Sequence, residues 1–152
     1  MSRLARSKDD DDYPDAAQKH LMDADLLLRQ GRYDGAGYLT GYVVECVLKT
    51  YILVGQSPSP LAKVAKADRH HRLNDLSQSA LRLAAMPSAQ TARYPLKMTT
   101  GHPMYDVKTG WREQIRYRAA AAVTAQQAQD WLTEARAVYA PALPQMKLDG
   151  VI

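Results

Sequence analysis

Apolar residues recur along this chain at the three-to-four-residue spacing of helices, and Gly and Pro mark the places where the pattern breaks. Ala17, Leu21, Ala24 and Leu28 predict a first helix from about Asp15 to Gln30, with Pro14 at its start and Gly31 as its stop signal. The longest apolar feature follows, from about Asp34 to Val54, closed by Gly55. Ala36, Leu39, Val43, Val47 and Tyr51 line one stripe of it. Tyr38, Gly41, Val44 (or Glu45), Leu48 and Ile52 line a second stripe beside the first. A helix apolar over more than half its circumference belongs in the middle of a bundle or at a dimer seam, so Val43, Val47 and Leu48 are expected to be buried. Gly35, Gly37 and Gly41 each cost such a helix about 1 kcal/mol against Ala, offset by the close approach of a neighbouring helix.

Ser57-Pro58-Ser59-Pro60 ends this pattern. A short basic segment, Leu61 to Arg72, leads into a third helix of about Leu73 to Ala85, with Leu73, Leu76, Ala80 and Leu83 on one side. Residues 86–104 carry Pro87, Pro95, Gly101 and Pro103 and form the longest expected loop, of a length that is often functional or mobile. A fourth helical segment is expected over roughly Tyr105 to Ala122. Thr124 and Gln127 form a capping box for a fifth helix, whose buried face is Ala128, Trp131, Ala135 and Val138; Pro141 and Pro144 end it. Alternating strand patterns with hairpin turns are absent. The expected fold is all-α, an antiparallel bundle of four to five helices. It forms a single domain over residues 14–144, after a disordered acidic arm (1–13) and before a C-terminal tail (145–152).

At 152 residues the chain can bury one substantial core. Its aromatic set is nine Tyr, two Trp and no Phe, so many rings are expected at helix edges or interfaces, where the hydroxyl stays wet. No run of roughly 18 to 20 apolar residues is evident, so no membrane span is expected. The basic N-terminus lacks the apolar stretch of a secretory signal. The lone Cys46, expected as a packed and inert thiol, fits a reducing cytoplasm. The net charge of +4 is uneven: residues 1–15 hold three basic and five acidic side chains, leaving 17 basic against 11 acidic beyond them. That balance favours an anionic partner such as RNA or a nucleotide. Asp9 to Asp12 read as a solvated tail, or as an autoinhibitor of a basic groove.

Among candidate chemistry, Glu45 and Lys49 stand four apart and face the same way, as an intrahelical ion pair would. His70 and His71 open the third helix, where they can be exposed, cap a turn or meet a phosphate. Lys63, Lys66, Arg69 and Arg72 join them in a basic cluster, either an anion site or a solvated face. Tyr94, Tyr105 and Trp111, near Arg93, Lys97 and Lys108, either stack on bases or pack a loop onto the bundle. No Gly-rich phosphate loop, Gly-x-Ser-x-Gly elbow or Cys/His metal spacing occurs, so neither a cofactor nor a metal is expected.

Three segments carry a family likeness. The run Gly31-Arg32-Tyr33-Asp34-Gly35-Ala36-Gly37-Tyr38-Leu39-Thr40-Gly41-Tyr42-Val43-Val44-Glu45-Cys46-Val47-Leu48-Lys49 has a small-residue helix start, a Gly-Tyr, a Glu three residues on, and a Leu-Lys. His71-Arg72-Leu73-Asn74-Asp75-Leu76 is a His-x-Leu-x-x-Leu element, and Trp111-Arg112-Glu113-Gln114-Ile115-Arg116-Tyr117 a Trp-then-Arg-Tyr element. In this order the three resemble the HEPN family over about residues 16 to 140. The resemblance implies a helical-bundle homodimer that binds or cleaves RNA, often in toxin–antitoxin or defence systems, with an antitoxin or nucleotidyltransferase-like partner. It also implies a polar pocket of Tyr42, Glu45, Lys49, Arg116 and Tyr117, with His71 nearby and a Glu45–Arg116 hydrogen bond. Catalytic members carry an Arg and a His separated by four to six residues. Here no Arg has that spacing to His20, His70, His71 or His102; the nearest imitations are Lys66 before His71 and Lys97 before His102. The expectation is therefore a non-catalytic dimer binding RNA, a nucleotide or a partner protein. The alternatives are a diverged metal-independent ribonuclease using His71 or His102 with a Lys or Arg116, and a purely structural subunit.

Overall fold

The computed structural model describes residues 12–55, 71–87 and 89–152. Asp9 to Asp11, the Ser57–Pro60 break, and Lys63, Lys66, Arg69 and His70 of the basic cluster lie outside the described residues. Those described are all-helical, with no strand: four helices of twelve residues or more and a fifth of six.

The first helix, α1, runs Tyr13–Arg29 and starts earlier than the apolar spacing predicts. The cause is Asp12, whose carboxylate accepts the Asp15 amide at 3.2 Å while Pro14 occupies the first turn. The end of the acidic run is thus a helix cap and not part of a disordered arm. Gly31, at φ +71°, stops α1, with the Arg32 amide returning to the Leu27 carbonyl at 2.9 Å. Only three residues separate α1 from α2 (Tyr33–Gly55), and the two pack along each other, which makes them antiparallel.

Central α2 touches α1, α3 (Leu73–Ala84) and α4 (Ala125–Tyr139). Val43, Val47 and Leu48 are fully buried, as the double stripe predicts. In one respect the hydropathy reading falls short: Tyr33–Gly55 is long and apolar enough to cross a membrane by length and composition. Its apolar window is 83% buried by the other elements, as in the core helix of a bundle. The predicted capping box of α4 is present in both directions, at 3.1 Å each way between Thr124 and Gln127, and Ala128, Trp131, Ala135 and Val138 are buried.

Residues 105–122 do not form the expected helix. They hold two 3₁₀ turns, Pro103–Tyr105 and Glu113–Tyr117, separated by a knot of local bonds. The Asp106 carboxylate accepts the Lys108 amide, the Thr109 amide and the Thr109 hydroxyl at 2.6–2.8 Å, and these bonds hold its pKa below the usual carboxylate range. Arg112 donates to the Val107 and Lys108 carbonyls, and the Trp111 amide returns to Met104 at 2.9 Å. Side-chain-to-backbone bonds of this kind compete with helix formation, and here they win. The segment closes onto α2, where Asp34 accepts the Ala121 and Val123 amides, each at 2.7 Å.

Pro141 and Pro144 do follow α4, but Pro144 also opens α5 (Leu143–Leu148), in the first turn where proline is tolerated. Residues 145–152 are therefore not a tail: Met146 and Ile152 are buried, and Lys147 reaches Asp15 of α1 at 2.9 Å. Nor are all the Tyr rings at edges. Tyr51 and Tyr94 are buried, and the Tyr51 hydroxyl is shared between the Thr91 and Tyr94 carbonyls at 3.0 and 2.9 Å.

Candidate functional site

Residues 38, 42, 45 and 49 of α2 recur at helical spacing, so Tyr38, Tyr42, Glu45 and Lys49 share one side of the helix. Glu45 is only 3% exposed and Lys49 4%. An unpaired carboxylate so placed would cost several kcal/mol. The Lys49 ammonium lies 2.9 Å from Glu45 Oε1, and His71 Nδ1 is 3.0 Å from both carboxylate oxygens. The pair is therefore buried rather than a surface ion pair, and it ties the start of α3 to α2. The Lys49 ammonium also lies 5.1 Å from the centre of the Tyr13 ring.

An ionised carboxylate only accepts, so His71 Nδ1 is the donor in this contact and Nε2 is the ring's second polar atom. The His71 side chain is 42% exposed and lines a groove of about 510 Å³ between the start of α3 and residues 104–118. Arg72, Met104, Trp111, Arg112 and Arg118 share that lining. Arg72 lies a loose 4.0 Å from Asp75, Arg112 is spent on the local carbonyls, and Arg118 has no ion pair among the described residues. Asp75, Asp106 and Glu113 also border the groove, but Asp106 is satisfied by its own turn.

Behind the groove is an aromatic cluster centred on Tyr42. Its ring meets Tyr38 and Trp111 edge-on at 5.0 and 5.1 Å and His71 at 6.2 Å. Burial, then the contact with the Tyr38 hydroxyl, pushes the Tyr42 phenol far above its ordinary range. Trp111 is buried and donates to the Tyr38 carbonyl at 3.1 Å, its indole lying directly on Gly41; a Cβ at position 41 would overlap the ring. Gly37 likewise admits Val123. Of the four α2 glycines, Gly37 and Gly41 thus accommodate side chains from outside the long helices, whereas Gly35 faces Leu27 of α1 and Gly55 faces Leu83 of α3. His20 of α1 stands 5.9 Å from Tyr42, its Nδ1 buried and without a hydrogen-bond partner among the described residues. Burial, then the nearby Lys19, lowers its pKa.

Tyr42, Glu45, Lys49 and His71 therefore come together, but the Glu45–Arg116 bond is absent. Arg116 is exposed: it donates to the Tyr38 hydroxyl at 3.3 Å and stacks on Tyr117, and the Tyr117 ring is 75% exposed. The reason is the missing helix. With residues 113–117 in a 3₁₀ turn, Ile115 takes the inward position and Arg116 and Tyr117 point out. The sequence places Tyr38 on an α2 stripe and Trp111 in a motif without assigning either to the pocket, although helical spacing from Tyr42 could have found Tyr38; His20 and Arg118 are brought in only by the fold. Tyr94, Tyr105 and Trp111 pack loops onto the bundle rather than offering faces to bases. The Tyr105 hydroxyl and the Thr99 amide each meet the buried Glu134 at 2.9 Å, pinning Thr99 and Tyr105 to α4. His102 Nδ1 accepts the Met104 amide at 3.2 Å and so caps a turn. Among the described residues, no three His, Cys, Asp or Glu side chains converge as a metal site would require. No known protein family, curated protein or solved structure compared with this chain matches it.

Proposed function

We propose that this chain is a HEPN-like helical bundle that acts as a binding module for a phosphate-bearing ligand, RNA or a nucleotide, and assembles as a homodimer. The observation that carries the reading is the groove beside the Glu45–His71 pair, bordered by Arg72 and by Arg118, which has no ion pair among the described residues. Guanidinium groups pair phosphates in a planar, charge-assisted way, and the start of α3 adds amides that no side chain among the described residues caps. The sequence resemblance is what supports the family and the dimer; the groove is what supports the ligand chemistry.

Fluorescence anisotropy with labelled single-stranded RNA tests the reading. The double change Arg72→Ala, Arg118→Ala should weaken binding at least about tenfold and flatten its dependence on salt, at unchanged melting temperature. Absence of binding at low salt, or indifference to the double change, would reject it. Light scattering should give a particle of twice the 16.9 kDa chain mass across micromolar concentrations.

One observation favours the ribonuclease alternative as a second reading. A buried carboxylate fixes His71 through Nδ1, as general bases are commonly oriented, and leaves Nε2 for the groove. The spacing of Arg and His argues the other way. Metal-free cleavage of RNA that is lost in His71→Asn, with DNA left intact, would establish it.

A further inference from the structure

We infer that Arg116 and Tyr117 form a stacking platform for an unstacked nucleobase, beside the groove that takes its phosphate; the inference rests on the binding reading above. The 3₁₀ turn Glu113–Tyr117 is anchored by Ile115, which is buried, so the turn does not need Tyr117 for packing. Tyr117 nonetheless stands open, 75% exposed. The Arg116 guanidinium lies over the ring at 4.7 Å from its centre, and the residue's exposure leaves room for a base to stack on the ring.

The platform is held from behind. Arg116 donates to the Tyr38 hydroxyl at 3.3 Å, and that hydroxyl donates to Tyr42 at 3.3 Å. Tyr42 in turn is packed against Trp111 and His71. An arginine fixed at its tip loses less freedom when a ligand arrives, and such preorganisation favours binding. The charge is also uncommitted. Arg29 and Arg136 pair with Asp25, and Arg93 with Asp149, whereas neither Arg116 nor Arg118 has an ion pair among the described residues. Arg118 borders the groove and is the chain neighbour of Tyr117, so a nucleotide whose phosphate meets Arg118 has its base within reach of the ring. The ligand chemistry is an aromatic base joined to a phosphate, supplied by a single strand or by a free nucleotide. Bases within a duplex are already paired and stacked and do not fit.

Anisotropy with a fluorescein-labelled single-stranded oligoadenylate RNA, competed by AMP, by inorganic phosphate and by the matching duplex, tests this. Tyr117→Ala should weaken the single strand about tenfold, the loss expected for one stacked base, and Tyr117→Phe should bind like the parent. Inorganic phosphate should compete equally against parent and Tyr117→Ala. Competition by AMP that depends on Tyr117 would support the platform with a free nucleotide as a sufficient source. Competition by strands alone would support it with a single strand as the source. Equal affinity of Tyr117→Ala and parent, or a duplex bound as tightly as the single strand, would overturn the platform while leaving the groove reading standing. A parent protein that binds none of these probes would overturn both. Because Tyr117 is exposed, an unchanged circular dichroism melt accompanies the expected result.

Discussion

Glu45 is the residue on which the site turns, because an ionised carboxylate inside an apolar helix persists only if its neighbours replace water. Lys49 neutralises it from one helical turn away, and His71 donates to it from the start of α3. Glu45→Ala should therefore cost about 3–5 kcal/mol in urea denaturation, since it leaves the Lys49 ammonium buried alone. Replacing the pair together, by Glu45→Leu with Lys49→Met, should cost much less, because the desolvation penalty disappears with the interaction. A loss of a few tenths for Glu45→Ala would mean that the pair behaves as a surface contact. The four-residue spacing of Glu45 and Lys49 was legible in the sequence; their burial was not. His71, which completes the network, is 26 positions away, and no local pattern announces a partner at that distance. The expectation for Arg116 fails for a related reason, since it assumed a helix to aim the side chain. Arg116→Ala should shift stability by no more than about 0.5 kcal/mol, as exposed substitutions generally do, and thermal denaturation will show whether it does.

Among the elements, those with strong apolar periodicity and a clear cap were legible: α1, α2, α3 and α4 differ from expectation only near their ends. The segment 105–122 misled because its composition permits a helix and what prevents one is a set of specific side-chain-to-backbone bonds around Asp106 and Arg112. The C-terminus misled in the opposite direction. Proline ends one helix and, one turn later, begins another, so Pro144 has two opposite readings in sequence. This makes a sharp prediction. Truncation after Pro144 removes Met146 and Ile152 from the core, each worth about 2–5 kcal/mol by comparison with large-to-small changes. It also removes the Lys147–Asp15 bond and the acceptor at Asp149 for the Tyr94 hydroxyl. The sum approaches the whole stability of an ordinary domain, about 5–15 kcal/mol, so the truncated chain should lose most of its cooperative melt at ambient temperature. A melt close to that of the full chain would mean that these residues are dispensable.

On the scale of the whole molecule, the elements α1, α2, α3 and the 103–117 turns converge on Tyr42, and the proton balance of that cluster should be visible in the stability of the entire chain. His20, packed on Tyr42, is the group to follow. Burial and Lys19 lower its pKa, outweighing Asp23 and Glu45, which act to raise it. With the folded value below the ordinary 6.5, the unfolded chain takes up this proton first as the pH falls. The contribution of His20 to stability is then complete above about 6.5, declines as the pH falls toward the folded value, and changes no further below it. Asp106 and Asp149, whose hydrogen bonds lower their pKa values, lose their contributions in a separate and more acid window, below about 4. Urea midpoints measured from pH 7.5 to 5.0 should therefore fall for the parent chain, and fall less for His20→Gln, which keeps a polar side chain of similar reach but cannot titrate. Comparing the two slopes isolates His20 from His71 and His102, which both proteins retain. Parallel slopes would show that the buried Nδ1 finds a proton and a partner in the folded state, and that the hub around Tyr42 is not closed to water on its α1 side.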